Sequence, residues 1–350
     1  MRSRPALPRR LARALRGRLL AYYDTHARDL PWRRTRDPYA IWISEVMLQQ
    51  TRVAAVVPRY ERFLVRFPDV TSLARASAES VCEEWAGLGY YSRARNLHAA
   101  ASAVVRSPRR RMPRTARELA SLAGIGDYTA GAIASIAFGE RVPAIDGNAE
   151  RVLARVLAHG GRAPSAVVRD LAHALVDCDR PGDVNQALMD LGATVCTARA
   201  PQCAACPLHN YCRARALGAP ERFPAKRGRT PVRKLDVAFA WIPSRTGIWL
   251  ERRPMAGLWS GLWQLPAEEG PRARAHLAAR LAVDLGVARV RIRHALTHRS
   301  VEARVYVPAA SVHLRRSTAF RPFAAPLAAP LSALARKAIV AMHDGSDADP

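Results

Sequence analysis

The segment CTARAPQCAACPLHNYC, residues 196–212, contains four of the six cysteines of the chain. They are spaced as Cys196-x6-Cys203-x2-Cys206-x5-Cys212. Four thiolates that converge from one short loop bring together negative charge that only a cationic centre can neutralise. The spacing therefore predicts a metal or iron–sulfur site with these four cysteines as its ligands.

Three kinds of cysteine site compete for this segment. Disulfides form in oxidising compartments, but the chain begins without a secretory signal and the other two cysteines, Cys82 and Cys178, stand alone. Zinc sites of four cysteines usually pair two short C-x2-4-C knuckles across a longer spacer. The spacing here favours a [4Fe-4S] cluster, with zinc as the alternative.

The composition indicates a globular, strongly basic chain. Its 350 residues leave room for two domains, and 55 Lys and Arg against 29 Asp and Glu give a net charge of +26. A polyanion is the expected partner, with nucleic acid ahead of an anionic membrane surface, although genome base bias can also raise the arginine content. No apolar run approaches membrane-spanning length, so no membrane-spanning segment is predicted, and nucleic acid rather than a membrane is the predicted partner.

The hydrophobic period divides the chain into two parts. Apolar residues recur every three or four positions from about residue 11 to 217, which predicts helices at 41–63, 70–86, 93–105, 116–122, 128–138 and 149–158. A basic linker without periodicity follows at 218–234. Beyond it, alternation predicts strands at 237–242, 248–252, 288–294 and 301–307, with a helix at 273–285. The predicted architecture is an all-α domain at 1–217, the linker, an α+β domain at 235–343 and a tail at 344–350.

Two features of the helical part suit chemistry on a nucleotide. The run LAGIG, residues 122–126, joins two predicted helices, and its glycines allow a tight turn whose free amides can bind a phosphate. A plain helix–helix turn is the alternative. Twenty residues later, Asp146 lies in PAIDGN, residues 143–148, at the start of another helix. A simple N-cap is the commoner role of such an aspartate.

The hairpin, the aspartate and the cysteine quartet, in this order, resemble the helix-hairpin-helix DNA glycosylases of the endonuclease III superfamily. Three further stretches resemble its MutY-type adenine glycosylases: DLPWR at 29–33, WISEVMLQQT at 42–51 and GLGYYSRARNL at 87–97. The resemblance covers residues 15 to 215 and implies a helix-hairpin-helix at 116–138 and a [4Fe-4S] loop at 196–212.

The resemblance implies a catalytic pair of carboxylates. Glycosidic cleavage through an oxocarbenium-like state needs an acid at the leaving base and a carboxylate near the sugar. Glu45 lies among apolar residues that should raise its pKa, and it matches the acid that protonates the purine. Asp146 matches the residue that stabilises the sugar cation, with Asn148 as its hydrogen-bond partner. Tyr128 occupies the position of the lysine that the lyase members use, so we expect base removal without strand cleavage.

The resemblance also implies contacts to DNA and to the base. Extruding a base from the stack requires a wedge and a pocket. The implied residues are Gln50 and Tyr90 as intercalating wedge, Leu88 and Thr51 along the opened duplex, Trp32, Arg33, Leu48 and Asp190 around the adenine, and Gly124 and Gly126 at a phosphate. Ala123 departs from the family, which usually has proline there; both glycines of the hairpin are kept.

Residues 235–343 resemble the Nudix-like C-terminal domain of MutY proteins, chiefly at WSGLWQLP, residues 259–266. A Nudix hydrolase has a glutamate-rich metal-binding helix, whereas residues 276–285 contain no glutamate, so pyrophosphatase activity is not expected. The family reads 8-oxoguanine with a Phe-Ser-His turn. The candidate here is Leu296-Thr297-His298, which lacks the aromatic residue; its alternative role is to close a strand pair.

The sequence thus predicts a monofunctional glycosylase for adenine mispaired with 8-oxoguanine or guanine. We expect a monomer that contains a [4Fe-4S] cluster, binds double-stranded DNA with an adenine mispair, and is cytoplasmic and associated with the bacterial nucleoid. Two alternatives remain open: a non-catalytic iron–sulfur protein that binds DNA or senses redox state, and a glycosylase of another mispair specificity on the same scaffold.

Overall fold

The computed structural model describes residues 9–161, 165–225, 231–254, 257–296 and 298–345. The chain forms two compact units, one of residues 1–77 and 95–228 and the other of residues 78–94 and 229–350. The second unit therefore includes a segment, 78–94, that the sequence places in the helical region. Within that unit Arg252 Nη2 lies 2.9 Å from Glu79 Oε1.

The described residues up to 217 form helices joined by loops, as predicted. Its α-helices are α1 (Arg9–His26), α2 (Pro38–Leu48), α3 (Val53–Arg66), α4 (Val70–Arg75), α5 (Ala78–Glu84), α6 (Ser92–Arg106), α7 (Ala116–Leu119), α8 (Asp127–Phe138), α9 (Gly147–Leu157), α10 (Ala166–Val176), α11 (Pro181–Thr194) and α12 (Arg213–Ala216). One core cluster joins α1, α9, α10 and α11 through residues such as Leu15, Leu153, Leu171 and Leu188.

Helix α2 is buried on nearly all sides. Asp37 caps it by accepting hydrogen bonds from the amides of Tyr39 and Ala40, and Pro38 occupies the first turn. Nine of its eleven residues are buried. A helix that is apolar all round belongs in a core, so any ionisable group on it must lie at a cavity or find a partner.

Two predicted helices are each divided into two shorter helices. Residues 41–63 do not form one helix, because α2 ends at Leu48 and the chain passes through Gln50 in the left-handed region at φ 56° before α3 begins. Residues 70–86 are likewise divided, since α4 ends at Arg75 and α5 begins at Ala78. At each break the chain makes a turn that the helical periodicity of the sequence does not predict.

The helix-hairpin-helix is formed by α7 and α8. Thr115 caps α7 by accepting from the amide of Glu118, and α7 ends at Leu119, three residues before the predicted end. Gly124 turns the chain at φ 77°, and a Cβ built there would lie 2.7 Å from Cβ of Asn96. Glycine is therefore required at Gly124 both by conformation and by space.

The second unit has the predicted α+β character. One sheet has the order β5 (Ala267–Glu269), β1 (Arg233–Ala240), β7 (Arg299–Tyr306) and β6 (Ala288–Leu296), with β1 and β7 parallel. The other contains β2 (Pro243–Ser244), β3 (Gly247–Arg252), β4 (Trp263–Gln264) and β8 (Phe320–Phe323). Helix α13 (Ala273–Leu281) packs with Ala238 and Tyr306, and α14 (Ala333–Asp344) packs with Phe239 and Val305.

Helix α13 is shorter than the predicted 273–285, because Ala282 leaves the helix at φ 53°. Its Arg280 pairs with Glu251 and Glu268. Among the described residues of this second unit, no group of three or more His, Cys, Asp and Glu is placed to hold a metal ion. Nor does any helix among those residues have the length and apolar character needed to cross a membrane.

Candidate active site

The two predicted catalytic carboxylates, Glu45 and Asp146, line one cavity of about 660 Å³ in the first unit. The first comes from α2 and the second from the residue before α9. The lining also includes Trp32, Arg33, Leu48, Gln50, Thr51, Tyr128 and Asn148. Residues that lie far apart in the sequence therefore meet around a space large enough for a purine nucleotide.

Glu45 is a buried acid with one protein hydrogen bond among the described contacts. It is 5% exposed, and Tyr128 Oη donates to its Oε2 at 2.7 Å. Burial raises the pKa of Glu45 to about 7, against the opposing effect of the Tyr128 hydrogen bond. Near neutral pH the carboxyl therefore exchanges readily between its acid and its carboxylate form, as a proton donor requires.

Tyr128 is placed by the start of α8, the second helix of the hairpin. Burial raises the pKa of Tyr128 well above its ordinary value, and the nearby Glu45 and Asp146 raise it further. The phenol therefore keeps its proton and acts as a hydrogen-bond donor toward Glu45. By the resemblance, Tyr128 stands at the position where the lyase members have their lysine.

Asp146 is both a helix cap and a cavity residue. Its Oδ1 accepts from the amide of Ala149 at 2.7 Å, and its Oδ2 accepts from Asn148 Nδ2 at 2.9 Å. Burial raises the pKa of Asp146, while these hydrogen bonds lower it. The capping role that the sequence left open is therefore present, and it fixes the carboxylate at the cavity wall.

Arg151 supports Asn148 from behind. Its Nη2 donates to Asn148 Oδ1 at 2.8 Å and to the carbonyl of Gly192 at 2.7 Å. Its Nε donates to the carbonyl of Cys196 at 2.8 Å. A continuous chain of hydrogen bonds therefore connects Asp146 with the first cysteine of the quartet.

Asp190 is not where the sequence placed it. It is 1% exposed and is absent from the cavity lining, and its carboxylate pairs with Arg28 and Arg33. Its Oδ1 accepts from Arg33 Nη2 at 2.8 Å and from Arg28 Nε at 2.6 Å. The prediction that it surrounds the adenine is corrected: it orients two arginines, both of which line the cavity.

Sequence reasoning missed three lining residues on α11, which are Gln186, Met189 and Ala193. Gln186 and Met189 lie three positions apart, and both reach the cavity. Gln186 is 7% exposed, and its side chain has no hydrogen-bond partner among the described residues. Helical spacing alone could not separate these residues from an ordinary core face, although a buried glutamine on such a face is an unusual signal.

Leu88 and Tyr90 do not line the cavity. Tyr90 is 52% exposed in a turn where Gly87, Gly89 and Tyr90 itself have positive φ. Leu88 is 5% exposed. The exposed ring suits a wedge, whereas Leu88 is buried in this structure; the DNA contacts of both residues remain predictions.

The turn between β6 and β7 contains the predicted recognition element. Thr297 lies outside the described residues. His298 is exposed, and its carbonyl accepts from the amide of Arg233 at 3.1 Å. The turn does close a strand pair, the alternative that the sequence left open, so reading of the opposite base remains a prediction.

The four cysteines of 196–212 line one small cavity together with Arg155, and all six cysteines of the chain are unbridged. Burial raises the pKa of Cys206 to about 11, and the neighbouring cysteines raise it further. Burial also raises the pKa of Cys212. Such thiols become thiolates only with a cationic partner, which fits a cluster site.

Three family models match the chain. The "HhH-GPD superfamily base excision DNA repair protein" model matches residues 43–177, the "NUDIX domain" model residues 237–341, and the "Iron-sulfur binding domain of endonuclease III" model residues 196–212. The last match identifies the cysteine loop as an iron–sulfur site and confirms the predicted [4Fe-4S] cofactor.

Curated relatives named adenine DNA glycosylase align with most of the chain. The human protein is 43% identical over 73% of this chain and 57% of its own length. Proteins from Buchnera aphidicola (strain Sg) and Schizosaccharomyces pombe are 31% and 33% identical, with 73% and 68% of their own lengths covered. The alignment spans less than two thirds of the mammalian relatives, 57% to 60%.

Solved structures share the fold of the helical part. A thermostable thymine-DNA glycosylase superposes with a TM-score of 0.55 at 29% identity, over 58% of this chain and 96% of that protein. Endonuclease III in a non-covalent DNA complex superposes with a TM-score of 0.50 at 24% identity, over 59% of this chain and 96% of that one. The second likeness bears on the fold alone.

Proposed function

The chain belongs to the family of MutY-type adenine DNA glycosylases, and from this premise we propose that it hydrolyses the glycosidic bond of adenine mispaired with 8-oxoguanine or guanine in double-stranded DNA. The observation that carries the proposal is the shared cavity of Glu45 and Asp146. A single chain suffices, because every proposed catalytic group belongs to that cavity. We therefore propose that the protein acts as a monomer on chromosomal DNA in the bacterial cytoplasm.

Glu45 supplies the proton in the first step. Protonated near neutral pH, it donates to a ring nitrogen of the extruded adenine, so that the electron pair of the C1′–N9 bond can leave with the base. Tyr128 then donates its hydrogen bond to the carboxylate that Glu45 has become. Without that hydrogen bond the new charge would lie buried and unpaired.

Asp146 stabilises the sugar cation that remains. Its carboxylate is held by Ala149 and Asn148, so it need not reorganise as positive charge develops at C1′. A water molecule then adds to C1′ and gives its proton to the carboxylate of Glu45, which restores the acid form. The products are free adenine and an abasic site.

Strand cleavage is not part of the proposal. A lyase step needs an amine that forms a Schiff base with the sugar, and the chain has only three lysines, Lys226, Lys234 and Lys337. Tyr128, at the corresponding position, cannot supply one. The strand should stay intact until the abasic site is cut by other means.

Several cavity residues suit recognition of the base. Trp32 is 6% exposed and packs edge-on against Tyr60, which fixes its ring at the wall. Arg33 is oriented by Asp190. Gln50 and Thr51 lie in the break between α2 and α3, where they can contact the opened duplex. We assign base flipping to Gln50 and Tyr90, and reading of the opposite base to the 296–298 turn.

The iron–sulfur loop is proposed to hold the fold and to position DNA, not to take part in the reaction. The cluster supplies a rigid anionic centre to which its four cysteines bind. Arg213 and Arg215, both exposed beside Cys212, can contact phosphates. Replacing a cysteine ligand should therefore reduce folding and DNA affinity rather than change the reaction.

The proposal is tested with a panel of duplexes that place adenine opposite 8-oxoguanine, guanine, cytosine and thymine. Each duplex is incubated with the full chain, and products are separated with and without alkali. We expect adenine release opposite 8-oxoguanine and guanine, and strand breaks only after alkali. Release from another mispair alone would identify a different specificity, breaks without alkali would contradict the hydrolytic mechanism, and binding without release would identify a DNA-binding protein.

A further inference from the structure

A buried arginine without a carboxylate partner lies beside the cysteine quartet. Arg155, on α9, is 2% exposed, and within the described part of the chain no Asp or Glu lies within ion-pair distance of it. A buried cation is costly unless negative charge or several acceptors surround it. The structure therefore calls for an anionic group near this guanidinium.

The guanidinium is directed at both ends of the cysteine loop. Its Nη1 donates to the carbonyl of Thr197 at 2.7 Å and to Cys196 Sγ at 3.3 Å. Its Nη2 donates to the carbonyl of Ala198 at 3.1 Å, and its Nε donates to that of Phe223 at 3.1 Å. The guanidinium thus joins the segment at the start of the loop to the segment beyond its end.

The backbone of Arg155 adds a contact to another cysteine. Its carbonyl lies 3.4 Å from Cys212 Sγ, so this one residue contacts the first and the last cysteine of the quartet. Carbonyl oxygens satisfy most of its N–H groups but do not balance its charge. Thiolates that bind an iron–sulfur cluster do, because the cluster with its four thiolates is anionic as a whole.

We propose that Arg155 is the counter-cation of the cluster: it donates a charge-assisted N–H hydrogen bond to the Cys196 sulfur, raises the reduction potential of the cluster and holds the loop in its cluster-binding form. Hydrogen bonds to sulfur and local charge are among the factors that set such potentials. This role rests on the iron–sulfur assignment of residues 196–212 and is independent of the glycosidic reaction.

Arg151 offers an internal comparison. It also lies beside Cys196, but its guanidinium contacts the carbonyl of that residue and not the sulfur, and it is shared with Asn148 and Gly192. Arg151 therefore acts toward the catalytic aspartate, whereas Arg155 acts toward the cluster. Replacing Arg155 should therefore change the reduction potential and the iron retention of the cluster.

The hydrogen bond can be tested in the wild-type chain. The protein is prepared with ¹⁵N-labelled arginine and its cluster is brought to a paramagnetic state for pulsed electron paramagnetic resonance. We expect a ¹⁵N coupling that the R151K variant retains and the R155K variant loses. A wild-type spectrum without a guanidinium coupling would overturn the proposal, and no variant needs to fold for that result.

Reduction potential and iron retention provide the second test. R155K keeps the positive charge but loses the planar guanidinium group, and R155M loses both. R336Q, at an exposed position of α14, is the matched control. We expect a more negative potential and faster iron loss to a chelator in R155K, larger effects in R155M, and wild-type behaviour in R336Q.

The outcomes of this second test are decisive in both directions. If R155M purifies without iron, the loop-holding role is supported and the potential is compared in R155K. Equal potentials and equal iron release in wild type, R155K and R155M would overturn the proposal. Adenine excision is not measured in this test. Failure of this inference would therefore leave the proposed function intact, and failure of the proposed function would leave this inference intact.

Discussion

Tyr128 Oη lies 2.7 Å from Glu45 Oε2 and donates a hydrogen bond to it inside the cavity. Burial and this hydrogen bond act on the carboxyl in opposite directions, and together they bring its pKa to about 7. The pair therefore sets the pH at which the proposed acid holds its proton. Two predictions depend directly on this contact.

The first prediction concerns the pH dependence of excision. Because Glu45 must be protonated, the single-turnover rate should fall as the pH rises through about 7. In Tyr128→Phe the hydrogen bond that lowers this pKa is lost, so the falling limb should move to higher pH. Single-turnover rates of wild type and Y128F, measured from pH 5.5 to 9, give the pH at which each rate falls. The same pH in both proteins would show that the fall does not report the titration of Glu45.

The second prediction concerns stability. The folded-state pKa of Glu45 is raised from 4.5 to about 7, so its stabilising contribution is complete below the unfolded value and is lost as the pH rises through 7. Glu45→Gln carries no such charge. At pH 8 the first unit of E45Q should exceed wild type in free energy of unfolding by about 3 kcal/mol, and by nothing near pH 4.5. Urea titrations followed by helical circular dichroism test this; equal midpoints at pH 8 would contradict the buried titration.

The third prediction concerns the support of Asp146. Asn148→Ala and Arg151→Met each interrupt the hydrogen bonds that fix this carboxylate. Loss of a hydrogen bond to a charged group costs about 1.5–3 kcal/mol, which corresponds to about 10-fold to 100-fold in rate. We expect that loss in the single-turnover rate with little change in duplex affinity, and no loss in R18Q, at an exposed position of α1. Wild-type rates in both variants would show that Asp146 needs neither partner.

The fourth prediction concerns Gln186. It lines the cavity and its amide has no hydrogen-bond partner among the described residues, so Gln186→Leu should leave thermal stability unchanged or raised. If the amide binds the purine, the variant should lose about 10-fold to 100-fold in excision at subsaturating DNA. Melting curves and excision rates are measured on one preparation. A drop in both quantities would indicate a packing role instead.

The sequence predicted which residues meet in the cavity better than it predicted the local geometry around them. Glu45, Tyr128, Asp146 and Asn148 belong to contiguous motifs, and the structure brings all four to one cavity. Periodicity also separated the helical part from the α+β part. The catalytic roles of Glu45, Tyr128, Asp146 and Asn148 remain predictions, because lining the same cavity shows that residues are close together and not that they react.

What the sequence could not predict depends on tertiary contacts. The left-handed Gln50, in the break between α2 and α3, has no glycine or proline signal. Asp190 could be assigned a place from the resemblance, but only the positions of Arg28 and Arg33 show that its carboxylate pairs with them away from the cavity lining. Gln186 has the spacing of a core residue, and only the open cavity beside it distinguishes it from one.

The most direct test of the account is single-turnover adenine release from a duplex with adenine opposite 8-oxoguanine, by wild type, Glu45→Gln and Asp146→Asn, with duplex affinity measured alongside. We predict that each variant loses at least about 100-fold in rate and still binds the duplex. Wild-type rates in either variant would contradict the claim that these two carboxylates act together on one extruded adenine.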